Sequence, residues 1–349
     1  VHSVFLLKGD FALRVLAVGG AGYVGSHVVR SLAQAGHSVI VLDNLSTGHP
    51  EAVDVARRVA GGGCVELVVG DVGDGTRVRE LLVSKEIDAV MHFAAASLVG
   101  ESMHNPSKYW RNNVGCAVEL LDAMAEAKVD KIVFSSSAAV YGEPTTTPIR
   151  EDHPKAPTST YGMTKLAIEH MLIGYDQAYG IRSISLRYFN AAGAHGSGEM
   201  GEAHDPETHL IPIILSAALG IRENISVFGT DYPTPDGTCI RDYIHVDDLA
   251  EAHLSAMDAL SRGAATTAYN LGNGSGFSVL EVLREAEHAV GKRIPAVHGE
   301  RRAGDPAVLV ASSDKAMNEL GWAPHYTDIS DIIASAWKWH SSHPHGYLR

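Results

Sequence analysis

Tyr161 and Lys165 stand four residues apart in Tyr161-Gly162-Met163-Thr164-Lys165, downstream of the run Ser135-Ser136-Ser137. On a helix this spacing puts both side chains on one face, where they can look onto a single cleft. A free tyrosine has a pKa of about 10 and is a poor base at neutral pH. A nearby ammonium favours its phenolate, and an adjacent positive ring would add to that effect. Tyr161 can then accept a hydroxyl proton while hydride leaves the neighbouring carbon, with Ser137 bridging substrate and tyrosine. Tyr-x-x-x-Lys is common in helices as an aromatic beside a solvated cation, so the pair gains its meaning from what surrounds it.

A departing hydride needs an acceptor, and the start of the chain offers a place for one. Gly19, Gly22 and Gly25 form GxxGxxG between the apolar run Arg14–Val18 and a helical pattern opened by Tyr23 and Val24. The first glycine permits a tight turn, the second lets backbone approach a pyrophosphate, and the third lets helix and sheet close up. Asp43 follows at the end of the next strand pattern, where a carboxylate accepts hydrogen bonds from both adenosine-ribose hydroxyls and repels a 2′-phosphate. No lysine or arginine lies among Asn44–His49 to reverse that preference, so NAD is expected rather than NADP. Asp71 ends a further strand pattern and is expected at the adenine edge, unless it only caps a helix. Phe93-Ala94-Ala95 ends another, with small side chains that let backbone approach the cofactor. Lys165 is expected to reach the nicotinamide ribose as well.

The elements that must position these groups alternate. Strand patterns at Ser38–Leu42, Val65–Val69, Ala89–Phe93, Lys131–Ser135 and Ser183–Arg187 are interleaved with helical ones, notably Gly115–Ala127 and Ser159–Tyr179. Such alternation demands a doubly wound, mostly parallel α/β sheet of Rossmann type covered on both faces. Beyond Asn190 the texture changes. A Gly-rich loop, Gly193–Gly201, leads to helices expected at Leu210–Leu219, Val246–Leu260, Val279–Val290, Asp314–Glu319 and Asp328–Trp339, and a strand at Ser226–Phe228. Ser278 and Glu281 suit a capping box. The expected division is a dinucleotide domain over 13–190, with later segments returning to it, and a smaller C-terminal α/β substrate lobe over 191–349. Between them a cleft should open at the carboxyl ends of the strands.

Composition excludes several partners. The 349 residues carry 28 Lys and Arg against 41 Asp and Glu, a formal charge of −13, which opposes nucleic acid and anionic membranes. No apolar run approaches the roughly 20 residues of a bilayer span. Val4–Leu7, followed by Lys8 and Asp10, lacks a cleavage pattern and reads as an extension before the first strand. Cys64, Cys116 and Cys239 are widely separated, which favours a reducing compartment, and a cytoplasmic location is expected. His340, His343 and His345 cluster near the end without a carboxylate or cysteine set, so no metal centre is expected.

With these residues placed, the chain resembles the UDP-glucose 4-epimerase family of extended short-chain dehydrogenase/reductases. The supporting strings are GGAGYVGSH at Gly19–His27, DNLSTG at Asp43–Gly48, HFAA and VGES within His92–Ser102, NNV at Asn112–Val114, and SSSAAVYG at Ser135–Gly142. They continue with YGMTK, RYFNAAGAHGSGEMGE at Arg187–Glu202, PDGTCIRDYIHVDDLA at Pro235–Ala250, YNLGNGSGFSV at Tyr269–Val279 and RAGDPA at Arg302–Ala307. Only the first dozen residues fall outside the match.

The resemblance implies interconversion of UDP-glucose and UDP-galactose through a bound 4-keto sugar that turns and takes hydride back on its other face. It implies that Ser137, Tyr161 and Lys165 are catalytic, and that Tyr23, Val24, Asn44, Val72, Asn112 and Tyr188 join the cofactor residues. Tyr188 is also read as a uracil neighbour or a core aromatic. Asn190, Arg241 and Arg302 are implied as uridine-diphosphate ligands, the arginines through charge-assisted contacts. Asp305 is implied at the nucleotide ribose, and His209 and Leu210 beside the substrate. His209 stands where relatives often have asparagine, and Ser97 where many have a lysine near the cofactor phosphates, which makes cofactor retention less secure. Leu309 occupies the position tied to sugar-pocket width and is expected to admit UDP-N-acetylglucosamine and UDP-N-acetylgalactosamine in part. A homodimer through Val114–Ala127 and Ser159–Tyr179 is implied.

Three rival readings are weighed against this one. A 4,6-dehydratase needs acid and base groups before Val140-Tyr141-Gly142, where this chain has Ala138-Ala139. A C4 epimerase of a UDP-uronic acid or UDP-pentose shares every motif above. A noncatalytic NAD sensor would have no use for the serine, tyrosine and lysine together.

Overall fold

The computed structural model describes residues 12–301 and 305–347. The extension at Val4–Leu7 and Arg302 lie outside the described residues. Runs rich in apolar, often β-branched residues make β1 (Arg14–Val18), β2 (Ser38–Asp43), β3 (Val65–Val69), β4 (Ala89–His92), β5 (Lys131–Ser137) and β6 (Arg182–Tyr188). Between them run α1 (Tyr23–Gln34), α2 (Pro50–Val59), α3 (Gly75–Ser84), α4 (Val99–His104), α5 (Pro106–Tyr109), α6 (Cys116–Ala127) and α7 (Thr160–Tyr179). The short segment Trp110–Gly115 between α5 and α6 is a π-helix.

After Asn190 come β7 (Asn190–Ala192), α8 (Leu210–Ala218), β8 (Ile225–Phe228), β9 (Ile240–Arg241), β10 (Tyr243–His245) and α9 (Val246–Ser261). They are followed by β11 (Thr267–Leu271), β12 (Phe277–Ser278), α10 (Val279–Val290), β13 (Ala296–Gly299), β14 (Val308–Leu309), α11 (Asp314–Leu320) and α12 (Ile329–Ser342). The Ser278–Glu281 capping box forms as its residue types require.

The main sheet has seven strands in the order β11-β6-β5-β4-β1-β2-β3, and every neighbouring pair is parallel. This is the Rossmann-type doubly wound order, in which the chain reverses direction across the sheet between β1 and β4. Two cores flank it. One buries α1 and α9 against Val15, Ala17, Val41 and Met91. The other buries α3, α6 and α7 against Leu16, Val18, Val90 and Phe134. A third core, centred on Ile214, Val282 and Ile333, packs α8, α10 and α12 together in the C-terminal part of the chain.

The returning segments are specific. β11 pairs with β6 from Thr267↔Ile184 to Leu271↔Tyr188 and supplies the last strand of the main sheet. α9 lies beside α1 in the core cluster on that sheet. α2 and α3 had no pattern singled out in the sequence: α2 buries only Ala52, Val53 and Ala56, and α3 only Val78 and Leu82.

Candidate active site

At the reversal point the first turn after β1 meets the turn after β4. A Cβ on Gly19 would sit 2.5 Å from the backbone nitrogen of Ala94, so only glycine lets the two turns meet. A Cβ on Gly25 would overlap the Gly19 carbonyl, which closes α1 onto the sheet. Gly22 differs: the nearest atom to a Cβ there is the Gly19 carbonyl at 3.4 Å, and Gly22 is a helix N-cap with no side-chain cap and no acid in the first turn. The protein leaves that space and those N–H groups free, which fits a pyrophosphate.

Asp43 is buried, and its carboxylate accepts from Ala21 N at 3.0 Å and Leu45 N at 2.9 Å. Both backbone bonds hold it at the mouth of the turn with lone pairs left for ribose hydroxyls. Asn44 donates to Asp71 at 2.8 Å, and Asp71 also accepts from Gly73 N at 2.8 Å, which ties the loops after β2 and β3 into one rim. Val72 packs against the core beneath that rim. The Phe93 and Ala94 N–H groups both donate to Val18 O, at 2.8 and 3.1 Å, so this turn offers a cofactor its surface and not those two donors. Tyr23 donates its hydroxyl to Gly193 O at 2.6 Å. Its side chain therefore braces the loop after β7, and what it offers a phosphate is its backbone. Ala95 and Val24 are partly exposed beside these groups, and Ser97 in the loop of Ala95 is exposed.

The proton-transfer group gathers at the carboxyl end of β5. Ser159 caps α7 by accepting from Gly162 N at 3.1 Å, and a Cβ on Gly162 would overlap the Ala139 carbonyl. That contact seats the helix against the turn at Ala138–Val140. Ser137 accepts from Ala139 N at 3.2 Å and hydrogen-bonds the Tyr161 phenol. Lys165 is buried, donates to Ser135 O at 2.7 Å, and holds its ammonium nitrogen 5.8 Å from the Tyr161 ring centre and 4.8 Å from that of Phe134.

The electrostatics differ in one respect from the sequence reading. Burial pushes the Tyr161 phenol up, neighbouring Tyr188 adds to this, and the Ser137 hydrogen bond alone opposes it. Burial also lowers Lys165 to about 7, with Glu169 pulling the other way. The expected lowering of the tyrosine by the lysine is thus not what this protein achieves by itself. A low-dielectric pocket penalises phenolate and ammonium alike, so an added positive charge in the cleft has the larger part to play.

Several positioning residues escaped the sequence reading. Glu169, one turn beyond Lys165, accepts from Ser136 Oγ at 2.6 Å and takes both Arg187 Nε at 2.9 Å and Nη2 at 2.6 Å. Arg187 donates on to the Tyr141 hydroxyl at 2.7 Å, which donates to Asn270 at 2.6 Å. This buried chain locks α7 to β5, β6 and β11. Asn113, neighbour of the expected Asn112, accepts from Ala96 N at 2.8 Å and donates to Thr164 at 3.1 Å, tying the turn after β4 to the catalytic helix. Asn112 itself donates to Asn113 at 3.0 Å. His253 bonds Ser135 at 3.0 Å and lies against the Phe93 and Tyr188 rings. Burial lowers it to about 4, so it is a neutral prop. The same Ser135 hydroxyl bonds the phenol of Tyr188.

Of the expected nucleotide residues, Arg241 and Asp305 form a close ion pair with each other. Asn190 donates to Asp242 O at 2.8 Å. Asp242 is wholly buried and accepts from Asn273 N, Gly274 N and Ala311 N, which gathers the loops around β9, β11 and β14. Leu309 pairs in register with Arg241 and packs on Val140, Tyr141 and Ile149, the wall beside Ser137. Leu210 begins α8 and packs on the third core. His209 caps that helix through its backbone, and its ring nitrogen lies 2.7 Å from Glu202 and 3.2 Å from Glu207. Where no metal ligand set was expected, Glu202, His204, Glu207 and His209 gather their ligand atoms within 4.8 Å of one another.

Comparison with known proteins agrees with this geometry. Residues 15–272 match the model of the NAD dependent epimerase/dehydratase family. A UDP-glucose 4-epimerase of Lacticaseibacillus casei is 49% identical over 96% of this chain and 99% of its own. The solved UDP-glucose 4-epimerase of Bifidobacterium longum in complex with NAD+ and UDP superimposes with a TM-score of 0.90 at 39% identity, covering 96% of this chain and 100% of that one. The UDP-Glc/GlcNAc 4-epimerase of Campylobacter jejuni does so with a TM-score of 0.83 at 39% identity, over 95% and 100%. With a glycine cradle shaped for a dinucleotide and a serine, tyrosine and lysine set at its inner end, the chain belongs to the NAD-dependent epimerase/dehydratase family.

Proposed function

We propose that the protein interconverts UDP-glucose and UDP-galactose by inverting C4 of the sugar. The observation that carries this reading is the convergence of Ser137, Tyr161 and Lys165 on the sheet-reversal crevice, with Leu309 packed on the wall beside Ser137. NAD+ bound there would supply the acceptor, and later the donor, of the C4 hydride. Tyr161 takes the C4 hydroxyl proton and later gives it back, and the Ser137 hydroxyl orients both partners. Lys165 holds the nicotinamide ribose. Gly19, Gly22, Tyr23, Val24, Gly25, Asp43, Asn44, Asp71, Val72, Phe93, Ala94, Ala95, Asn112 and Tyr188 form the rest of the cofactor site.

The nucleotide must stay fixed while the keto sugar turns. Asn190, His209, Leu210, Arg241, Arg302 and Asp305 are the anchor, residues 13–190 with β11 and α9 carry the cofactor, and 191–349 mainly carry the UDP-sugar. Inversion follows if the sugar presents its second face to a proton donor that has not moved. Two methyl groups at Ala138 and Ala139 supply none of the acid and base groups that dehydration needs.

Leu309 favours a broader substrate range, because it is shorter than an aromatic and leaves room beside C2 for an acetamido group. Exposed apolar side chains on both helices, Val118 on α6 and Ile173 on α7, support a homodimer through them. Among the described residues no helix is long and apolar enough to cross a membrane. None of the described thiols forms a disulfide, which supports a cytoplasmic location.

The test is product analysis with UDP-galactose and with UDP-N-acetylgalactosamine, using protein as purified and no added cofactor. UDP-glucose should form rapidly and UDP-N-acetylglucosamine more slowly. Absence of the first product with NAD restored would defeat the reading. Absence of only the second would defeat the assignment of Leu309.

A further inference from the structure

The loop between β7 and α8 contains a repeated spacing, Glu202-x-His204 and Glu207-x-His209, that proton transfer does not use and of which the nucleotide anchor claims only His209. In the fold these four side chains converge. His209 Nδ1 lies 2.7 Å from Glu202 Oε1 and 3.2 Å from Glu207 Oε1. His204 Nδ1 lies 3.0 Å from Glu202 Oε1 and 3.8 Å from Glu207 Oε2. A tetrahedral zinc with ligands at about 2.0–2.2 Å separates its donor atoms by roughly 3.3–3.5 Å. Three of the four separations are hydrogen-bond lengths and the fourth is longer, so an entering ion would displace the imidazole protons and spread the donors by a few tenths of an ångström; every donor atom in the set is within 4.8 Å of the others.

A second observation points the same way. Glu202 is 3% exposed, and its buried carboxylate needs a positive partner, which in this fold is the His209 imidazolium whose proton a metal ion would replace. Among the described residues no lysine or arginine pairs with Glu202 or Glu207, and the imidazoles of His204 and His209 each pair with both. Two imidazole nitrogens and two carboxylate oxygens are a borderline donor set, suited to zinc and its first-row neighbours and poorly suited to magnesium or calcium.

We infer that Glu202, His204, Glu207 and His209 bind one divalent transition-metal ion of the zinc class. Four protein ligands close the coordination shell, so the ion is structural and takes no part in hydride or proton transfer. Its place in the fold gives it a task. The His204 ring stands edge-on to Tyr23 at 6.2 Å, Tyr23 holds Gly193 at the start of the same loop, and His209 immediately precedes α8. The ion would brace the first turn of the dinucleotide helix against the start of α8. This inference does not depend on which sugar the enzyme accepts.

The test is a metal titration of the untagged full chain, stripped with a strong chelator and freed of it. Zn2+ alone is titrated in, and Co2+ is added to a second sample for its visible spectrum. About one equivalent per chain should bind, with the intense visible bands of four-coordinate cobalt. His204→Gln and Glu207→Gln should each weaken Zn2+ by roughly 100-fold or more, while His345→Gln should leave it unchanged. Wild-type protein binding Zn2+ no better than the His204→Gln/Glu207→Gln double variant would overturn the inference. So would a wild-type cobalt spectrum with only the weak bands of the hydrated ion, a readout that needs no variant to fold.

Discussion

Tyr161 and Lys165 lie four residues apart on α7 and share one helix face, with the lysine nitrogen 5.8 Å from the tyrosine ring centre. Replacing Tyr161 with phenylalanine removes the proton acceptor and keeps the ring. NAD and UDP binding should be retained while turnover falls roughly 10²–10⁴-fold, measured as initial rate against bound-cofactor content. Turnover at the wild-type rate would remove Tyr161 from the mechanism. Lys165 makes a prediction about stability. Its folded pKa is lowered by burial from 10.5 to about 7, so the folded state disfavours the charged form. That penalty is complete below about pH 7 and disappears as pH rises toward 10.5, where the unfolded lysine also becomes neutral. Lys165→Met should therefore gain most in unfolding midpoint relative to wild type near pH 6, and that gain should shrink steadily by pH 9. A difference independent of pH would contradict it. What could not be read locally were Glu202, His204, Glu207 and His209, because their convergence is made by a loop with no periodicity to betray which side chains turn inward.

At the level of elements, the first turn after β1 separates two kinds of glycine. Gly25 is required by the protein's own packing, since a methyl group there strikes the Gly19 carbonyl, whereas Gly22 faces space that the chain leaves open. Gly25→Ala should thus destabilise the fold by about 1–3 kcal/mol. Gly22→Ala should cost about 1 kcal/mol or less, as a change of cap, yet weaken NAD by roughly tenfold or more through close approach to the pyrophosphate. Denaturant unfolding and NAD titration of the emptied protein separate the two; equal effects on both quantities would show that Gly22 is structural too. The alternation of strand and helix revealed the sheet because buried parallel strands are apolar throughout. It did not reveal that the strand at Thr267–Leu271 completes the sheet, since pairing between strands far apart in the chain is not encoded in their local pattern. Asn113 and Asp242 were likewise invisible: each gathers backbone groups from loops that only the finished fold brings together.

For the molecule as a whole, the exposed Val118 and Ile173 predict association. Sedimentation should give twice the chain mass, and Ile173→Lys should shift it toward the monomer with Tyr161 chemistry retained; a wild-type monomer at micromolar concentration would remove the dimer from the model of function. One feature of the sheet reaches beyond catalysis. Because β6 waits for a strand that ends at Leu271, its outer edge stays unsatisfied while roughly eighty further residues are made. During synthesis on the ribosome the nascent dinucleotide part is thus a sheet one strand short, with an edge open to other chains until the late strand emerges.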